Sequence, residues 1–266
     1  TGGVAQNIKA NQLILDEPEV NSLFVPPGPG DESISIGAAF LASYKISNSE
    51  LFPKSISNGY FFPNSELITK DKLLRIVPDT WEIKKVNKKD VALLLSKGQI
   101  VARFSSDKVE FGARALGGRS IIADPRNPRV IHRINKLIKM RDFWMPFAPS
   151  ILESRKKDYL VFKKDVDASY MSIGFRTKLI AVKDIPAGIH PFDHTARPQV
   201  VKQSENPEYF ELIKEFEKIT GVGAVMNTSF NIHGDAIVLT PEDAIDTLKR
   251  SGLDYLYIDD YLVKKN

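Results

Sequence analysis

The stretch VEFGARALGGRSIIADP, Val109 to Pro125, sets two arginines and three glycines directly before the strand-like run Ser120-Ile121-Ile122-Ala123. Guanidinium groups bind phosphate bidentately, and glycine backbone N–H groups can complete an oxyanion cradle. A glycine turn with arginines is equally at home on a solvated surface. On spacing alone the surface turn is the better reading.

Outward from this stretch, strands and helices interleave. QIVARFS (99–105) reads as a buried strand, and Asn87 is placed to cap KKDVALLLSKG, with Gly98 ending that helix. A helix is expected from Pro128 to Met140, and PFAPS (146–150) is extended because of its prolines. YMSIGFR (170–176) and RPQVVK (197–202) read as strands. NPEYFELIKEFEKITG carries apolar residues at 209, 210, 212, 213, 216 and 219, a helical spacing. VGAVMN (222–227) is a strand ending at a polar turn, and TPEDAIDTLKRSG (240–252) a helix with a Thr cap and Pro at its first position. LDYLYI and YLVKK close the chain as strands. Upstream, Gln12–Leu15 and Ser22–Val25 read as short strands. Asp31 or Ser33 is expected to cap a helix through ISIGAAFLASYK, and residues 47–87 read as a linker with one short helix near Lys70–Ile76. The fold class is α/β.

The totals suit one large domain or two smaller ones: 266 residues, 42% hydrophobic and 26% charged. The 37 Lys and Arg exceed the 33 Asp and Glu only mildly, so an anionic ligand is favoured weakly and a nucleic-acid partner is disfavoured. The absence of cysteine excludes disulfides, thiolate catalysis and Cys-based zinc sites. The longest apolar runs are too short to span a bilayer, and a cytoplasmic location is the default expectation. The start at Thr1-Gly2-Gly3 is read as that of a fragment.

His190 and His194, in HPFDH, have a spacing that could share a zinc ion on a helix, but Pro191 makes this a loop. More informative is a set of cations and small polar residues. Arg114 and Arg119 flank ALGG, with Ser120 next; Lys139 and Arg141 follow a predicted helix; Arg197 opens a predicted strand. Asn227, Ser229 and Asn231 lie in MNTSFN, straight after a buried strand. Such a set suits a phosphorylated substrate whose transition state gains negative charge. Gly2 and Gly3 would let a backbone approach a phosphate or ribose, and Asp31 on a glycine turn could ligate a hard cation or an iron.

Six motifs, in order, span nearly the whole chain: GGVAQN, GDESISIGAA, VEFGARALGGRSIIADPR, INKLIKMRDFWMPFAPSILE, HTARPQVV and NTSFNIHGDAIVLTPEDAI. Together they resemble the carbamoyltransferase family of antibiotic and nodulation-factor biosynthesis, the tobramycin and cephamycin O-carbamoyltransferase type. The resemblance implies a YrdC-like mixed α/β domain at 87–266, preceded at 1–80 by the end of an actin/hexokinase-type (ASKHA) domain whose first half is missing. It implies that the YrdC-like domain makes carbamoyl adenylate from carbamoyl phosphate and ATP, for transfer to the hydroxyl of a small-molecule acceptor. It assigns Arg114, Lys139 and Arg197 to the phosphate chemistry, and Asn227 and Ser229 to the carbamoyl amide or adenylate. By the same resemblance Arg119, Ser120, Arg141 and Asn231 are expected to support them, Gly3 and Asn7 to contact the nucleotide, and Asp31 to be a remaining ligand of iron or another divalent metal.

Two departures stand out. Where the family has Arg-Pro-Phe-Ala-Pro, this chain has Met145-Pro146-Phe147-Ala148-Pro149. Losing one charge-assisted contact to phosphate costs roughly 1.5–3 kcal/mol. GDAIV, where the family tends to Gly-Glu-Pro, is a milder change. An RNA-binding YrdC-type module, or a non-catalytic domain sensing carbamoyl phosphate or nucleotide, is the rival reading. The first would bind RNA with a steep salt dependence.

Overall fold

In the computed structural model, residues 1–48, 58–60, 66–140 and 146–266 are described. In chain order the regular elements are α1 (Ile8–Asp16), α2 (Ile34–Ile46), α3 (Lys70–Ile76), β1 (Glu82–Lys85), α4 (Lys88–Ser96), β2 (Val101–Phe104) and β3 (Arg119–Ala123). Then come α5 (Arg129–Ile134), β4 (Ala148–Leu152), α6 (Lys156–Tyr159), β5 (Phe175–Arg176), α7 (Leu179–Asp184), β6 (Thr195–Ala196) and β7 (Gln199–Val201). The last are α8 (Pro207–Thr220), β8 (Ala224–Ser229), α9 (Pro241–Arg250), β9 (Tyr255–Ile258) and β10 (Tyr261–Lys264).

Among the described residues, a mixed sheet of eight strands runs in the order β1-β10-β9-β2-β3-β8-β4-β7. Alternate residues of its central strands enter two different cores. Val101, Ile122 and Val225 pack with Val91 and Leu95 of α4 and with Tyr209, Leu212, Ile213 and Phe216 of α8. Ala102, Ile121 and Met226 pack with Leu73 of α3, Ile134 of α5 and Ala244 and Leu248 of α9. A sheet covered on both faces calls for strands apolar on both sides, which is why QIVARFS, Arg103 apart, carries no period-two signal.

The helices on these faces start where local chemistry sets them. Asn87 accepts from the Asp90 N–H while Asp90 accepts from the Asn87 N–H, and Thr240 and Asp243 repeat that reciprocal cap on α9. α8 has Asn206 as its cap, Pro207 in its first turn and Gly221 at φ 78° just past its end. The sheet also reaches upstream of Asn87, because β1 pairs antiparallel with β10 and Leu73 of α3 is fully buried.

Five expectations change. Gln12–Leu15 is helical, not a strand: the Asn7 side chain caps α1, and Asn11 and Leu15, one turn apart, are its buried face. Ser22–Val25 joins no strand among the described residues, and of YMSIGFR only Phe175–Arg176 pairs, with β6. The helix expected to Met140 is α-helical only to Ile134; it continues as a π-turn over Asn135–Lys139 and stops at Met140, whose φ is 46°. Ser33 does not cap α2 with its side chain, and instead donates to the Gly28 carbonyl.

Candidate functional site

The sheet register gathers most of the expected site residues at one end of the sheet. Ser120 lies opposite Ser229, and Asn227 lies opposite Ile122 on one side and Ala148 on the other. β7 runs parallel to β4 with Gln199 beside Ser150, and Arg197 lies two residues before that pair. The loop that carries Arg114 enters β3 at this same end.

That loop is held from both sides. Its N–H groups are taken by the chain's own carboxylate: Glu110 Oε1 accepts from Leu116 N at 2.9 Å, Gly118 N at 2.5 Å and Arg119 N at 3.0 Å. The Gly117 N–H goes to Ser120 Oγ at 3.0 Å. Its carbonyls are gripped by side chains from distant strands and loops. Asn227 Nδ2 donates to Ala115 O (3.0 Å), Gln199 Nε2 and Tyr60 Oη to Leu116 O (2.7 Å each), and Arg103 to Gly117 O. The glycine turn is therefore an anion cradle already filled by Glu110. Arg114, on the same loop, is half-buried. Replacing Glu110 with Ala removes the acceptor of three backbone donors and is expected to cost about 3 kcal/mol in a denaturant titration, whereas Glu110→Gln, which keeps the oxygen, is expected to cost about 1 kcal/mol.

The second half of the site is a buried ammonium. Lys139 is 1% exposed and donates to Ser229 Oγ at 3.1 Å, Asn231 O at 3.1 Å and Asn231 Oδ1 at 2.6 Å. Ser229 Oγ in turn donates to Asn231 Oδ1 at 2.6 Å. Met140, left-handed one residue later, ends the π-turn that aims Lys139 at the end of β8.

Asn227 is the polar centre. It is 1% exposed, and its Nδ2 faces Ala115 O, Ser150 Oγ (3.0 Å) and Gln199 Oε1 (3.2 Å). Two of those partners, a carbonyl and an amide oxygen, can only accept, which fixes the orientation of the Asn227 amide. Its Oδ1 is left buried with no hydrogen-bond partner. A buried acceptor without a donor costs about 1–3 kcal/mol and marks a place for a ligand N–H.

The carbamoyltransferase C-terminus family matches residues 92–265, which contain this arrangement apart from Tyr60. The chain belongs to the carbamoyltransferase family. It is 38% identical to the protein MJ1058 of Methanocaldococcus jannaschii over 99% of its length, and 32% identical over 99% to the nodulation protein NolNO of Sinorhizobium fredii. The chain spans 44% of the first relative and 39% of the second, less than half of either. A crystal structure of full-length HypF in its phosphate- and nucleotide-bound form matches 66% of this chain and 25% of its own, at 17% identity and a TM-score of 0.48.

Within this carbamoyltransferase chain the remaining expected residues are scattered. Arg119 is 3% exposed and turned inward: its guanidinium donates to the carbonyls of Ser105, Lys108, Gly118 and Leu239 and lies 3.6 Å from the centre of the Phe104 ring. Burial pulls its pKa down to about 10. Ser120, fully buried, serves the Gly117 N–H. Asn7 is exposed and caps α1 through the N–H groups of Lys9 and Ala10, and Gly3 is exposed in a 3₁₀ turn. Asp31 is exposed at the first position of another such turn. Among the described residues no three His, Asp or Glu side chains come together to hold a metal, so Asp31 by itself makes no metal centre. His190 and His194 stand on a loop, as Pro191 foretold. Arg141 and Met145 lie outside the described residues. No helix among the described residues is long and apolar enough to cross a membrane.

Sequence reasoning missed Glu110, Gln199, Ser150 and Tyr60. Glu110 sits inside the quoted stretch, but no local pattern says that its carboxylate folds back onto amides six to nine residues ahead. Gln199 and Ser150 look like ordinary strand residues until β4 and β7 are paired.

Proposed function

We propose that this chain is the substrate-activating part of an ATP-dependent O-carbamoyltransferase, forming carbamoyl adenylate from carbamoyl phosphate and ATP. The observation that supports it best is the buried, partnerless Asn227 Oδ1, on the strand whose last residue, Ser229, receives the buried Lys139 ammonium. A carbamoyl group offers two N–H donors next to a phosphate, and this strand offers a buried acceptor and, two residues on, a buried cation.

In this reading Arg114 and Arg197 neutralise the phosphate of carbamoyl phosphate, and Asn227 Oδ1 accepts from the carbamoyl NH₂. Water takes up the phosphoryl group, and the carbamate so freed attacks the α-phosphorus of ATP and expels pyrophosphate. Carbamoyl phosphate, ATP and water thus become carbamoyl adenylate, pyrophosphate and phosphate. Lys139 moves one of its N–H bonds from the Ser229–Asn231 pair to the leaving oxygen as charge grows there. The acceptor hydroxyl then displaces AMP, a step assigned to the longer protein of which the relatives are examples. Gly3 and Asn7 are proposed to contact nucleotide there. Asp31 would supply one ligand toward an iron or other divalent metal, and no step above runs through that metal.

The assay is pyrophosphate release from ATP that depends on carbamoyl phosphate. Asn227→Ala is expected to raise the KM for carbamoyl phosphate about tenfold, near 1.4 kcal/mol. No carbamoyl-phosphate-dependent release by the full-length protein would sink the proposal.

A further inference from the structure

The polarity of the Asn227 amide is governed by a second buried amide. Gln199, 3% exposed, donates through Nε2 to the Leu116 carbonyl at 2.7 Å, and a carbonyl can only accept. Its Oε1 therefore faces the other way, where it accepts from Ser150 Oγ at 2.6 Å and from Asn227 Nδ2 at 3.2 Å. Gln199 thus holds both acceptors that fix Asn227. Its own Oε1 is one, and its Nε2 pins Leu116, the neighbour of Ala115, whose carbonyl is the other. Turning the Asn227 amide over would set its oxygen against these two acceptors. Nδ2 is therefore kept toward the protein, and Oδ1 is left buried without a partner. Ser150 touches both amides, but a hydroxyl donates or accepts and imposes no polarity. Ser229, two residues on in the same strand, shares the Asn227 face and takes the Lys139 ammonium at 3.1 Å.

We infer that Gln199 is a positioning residue that makes the site select a carbamoyl donor over its acetyl isostere, by holding Asn227 with its oxygen toward the donor; the inference rests on the proposed activation of carbamoyl phosphate. Acetyl phosphate has nearly the size and shape of carbamoyl phosphate and carries a methyl group in place of the amine. The carbamoyl N–H satisfies Asn227 Oδ1. A methyl group leaves that oxygen buried without a donor, a penalty that supports rejection by about tenfold or more. The phosphate is common to both donors, so the cations proposed to bind it do not make this choice. Carbamoyl adenylate keeps the NH₂ group, so the same contact serves the donor before and after activation.

The test compares kcat/KM for pyrophosphate release by the full-length protein with carbamoyl phosphate and with acetyl phosphate, and reads the phosphate subsite separately through competitive inhibition by inorganic phosphate. Acetyl phosphate, ATP and water give acetyl adenylate, pyrophosphate and phosphate in the same balance. The wild type is expected to prefer carbamoyl phosphate by about tenfold or more. Gln199→Met, similar in length and volume, should cut that preference by about threefold or more and leave inhibition by phosphate within about twofold. Ser150→Ala should keep the preference, and so should Gln199→Glu, which retains an oxygen toward Asn227. A merely structural residue would slow both donors in parallel, so an unchanged preference in Gln199→Met overturns the role of Gln199. A preference lost equally in Ser150→Ala assigns the effect to packing and overturns it too. If Gln199→Met does not fold, Gln199→Glu decides: a preference kept supports the role of Gln199, and a preference lost overturns it. Equal use of both donors by the wild type overturns this inference and leaves the proposed activation standing. No release with either donor overturns both.

Discussion

Replacing Lys139 with methionine is expected to lower carbamoyl-phosphate-dependent pyrophosphate release by roughly 10²–10³-fold, about 3–4 kcal/mol of transition-state stabilisation. Methionine follows the path of the lysine stem and leaves the Ser229–Asn231 bond in place, so the change removes charge more than shape. The effect should fall on kcat, because in the free protein the ammonium is already bonded to Ser229 and Asn231, and in the proposed mechanism it gains a new partner only as the leaving oxygen charges. A variant that melts like the wild type but keeps its turnover would remove Lys139 from the chemistry. A loss confined to KM would make it a ground-state anchor.

The second large effect is on folding. Gly117 has a φ of +110°, and a Cβ built there would stand 2.7 Å from Cε1 of Tyr209. Tyr209 is fully buried in the core between α8 and the sheet and has no room to retreat. Gly117→Ala therefore combines overpacking of about 1–3 kcal/mol with a backbone penalty of about 1–2 kcal/mol. The expected loss of about 2–5 kcal/mol is a large part of the stability of a typical domain. Gly221→Ala is the control. Its φ is +78°, but nothing lies within 4 Å of the added Cβ, so only the backbone penalty of about 1–2 kcal/mol applies. Equal denaturant midpoints for the two variants would show that the Tyr209 contact does not matter.

The loop from Glu110 to Arg119 shows how a glycine-and-arginine stretch can build an N–H cradle without its sequence naming the occupant. Glycines and arginines near a strand do build a cradle of N–H groups. Only the fold reveals that Glu110 occupies it, and that Arg119 points into the protein while Arg114 remains beside the site. The loop between His190 and Thr195 gives a similar lesson. Asp193 reads as a plain loop residue. In the fold, burial alone would raise its pKa, but bonds from Lys9 and Thr195 outweigh this and hold the carboxyl well below the usual range. This ties α1 to the loop that leads to Arg197.

Sequence alone determined the alternation of strands and helices, the reciprocal caps at Asn87 and Thr240, the amphipathic α8 and, through six motifs in order, the family. The elements and caps rest on residues within a few positions of one another, where backbone propensity and side-chain periodicity act directly. Tertiary structure decided the rest. It turned Gln12–Leu15 into a helix by capping it with Asn7 and burying Asn11 and Leu15 against the larger core. It added β1 to the sheet edge beside β10, and it brought Asn227 to Ala115, 112 residues away in sequence. The partnerless Asn227 Oδ1 exists only because Ser150, Gln199 and Ala115 converge on the other end of the same amide. Convergence of that kind depends on strand register, and register is set by how two whole faces of the sheet are buried.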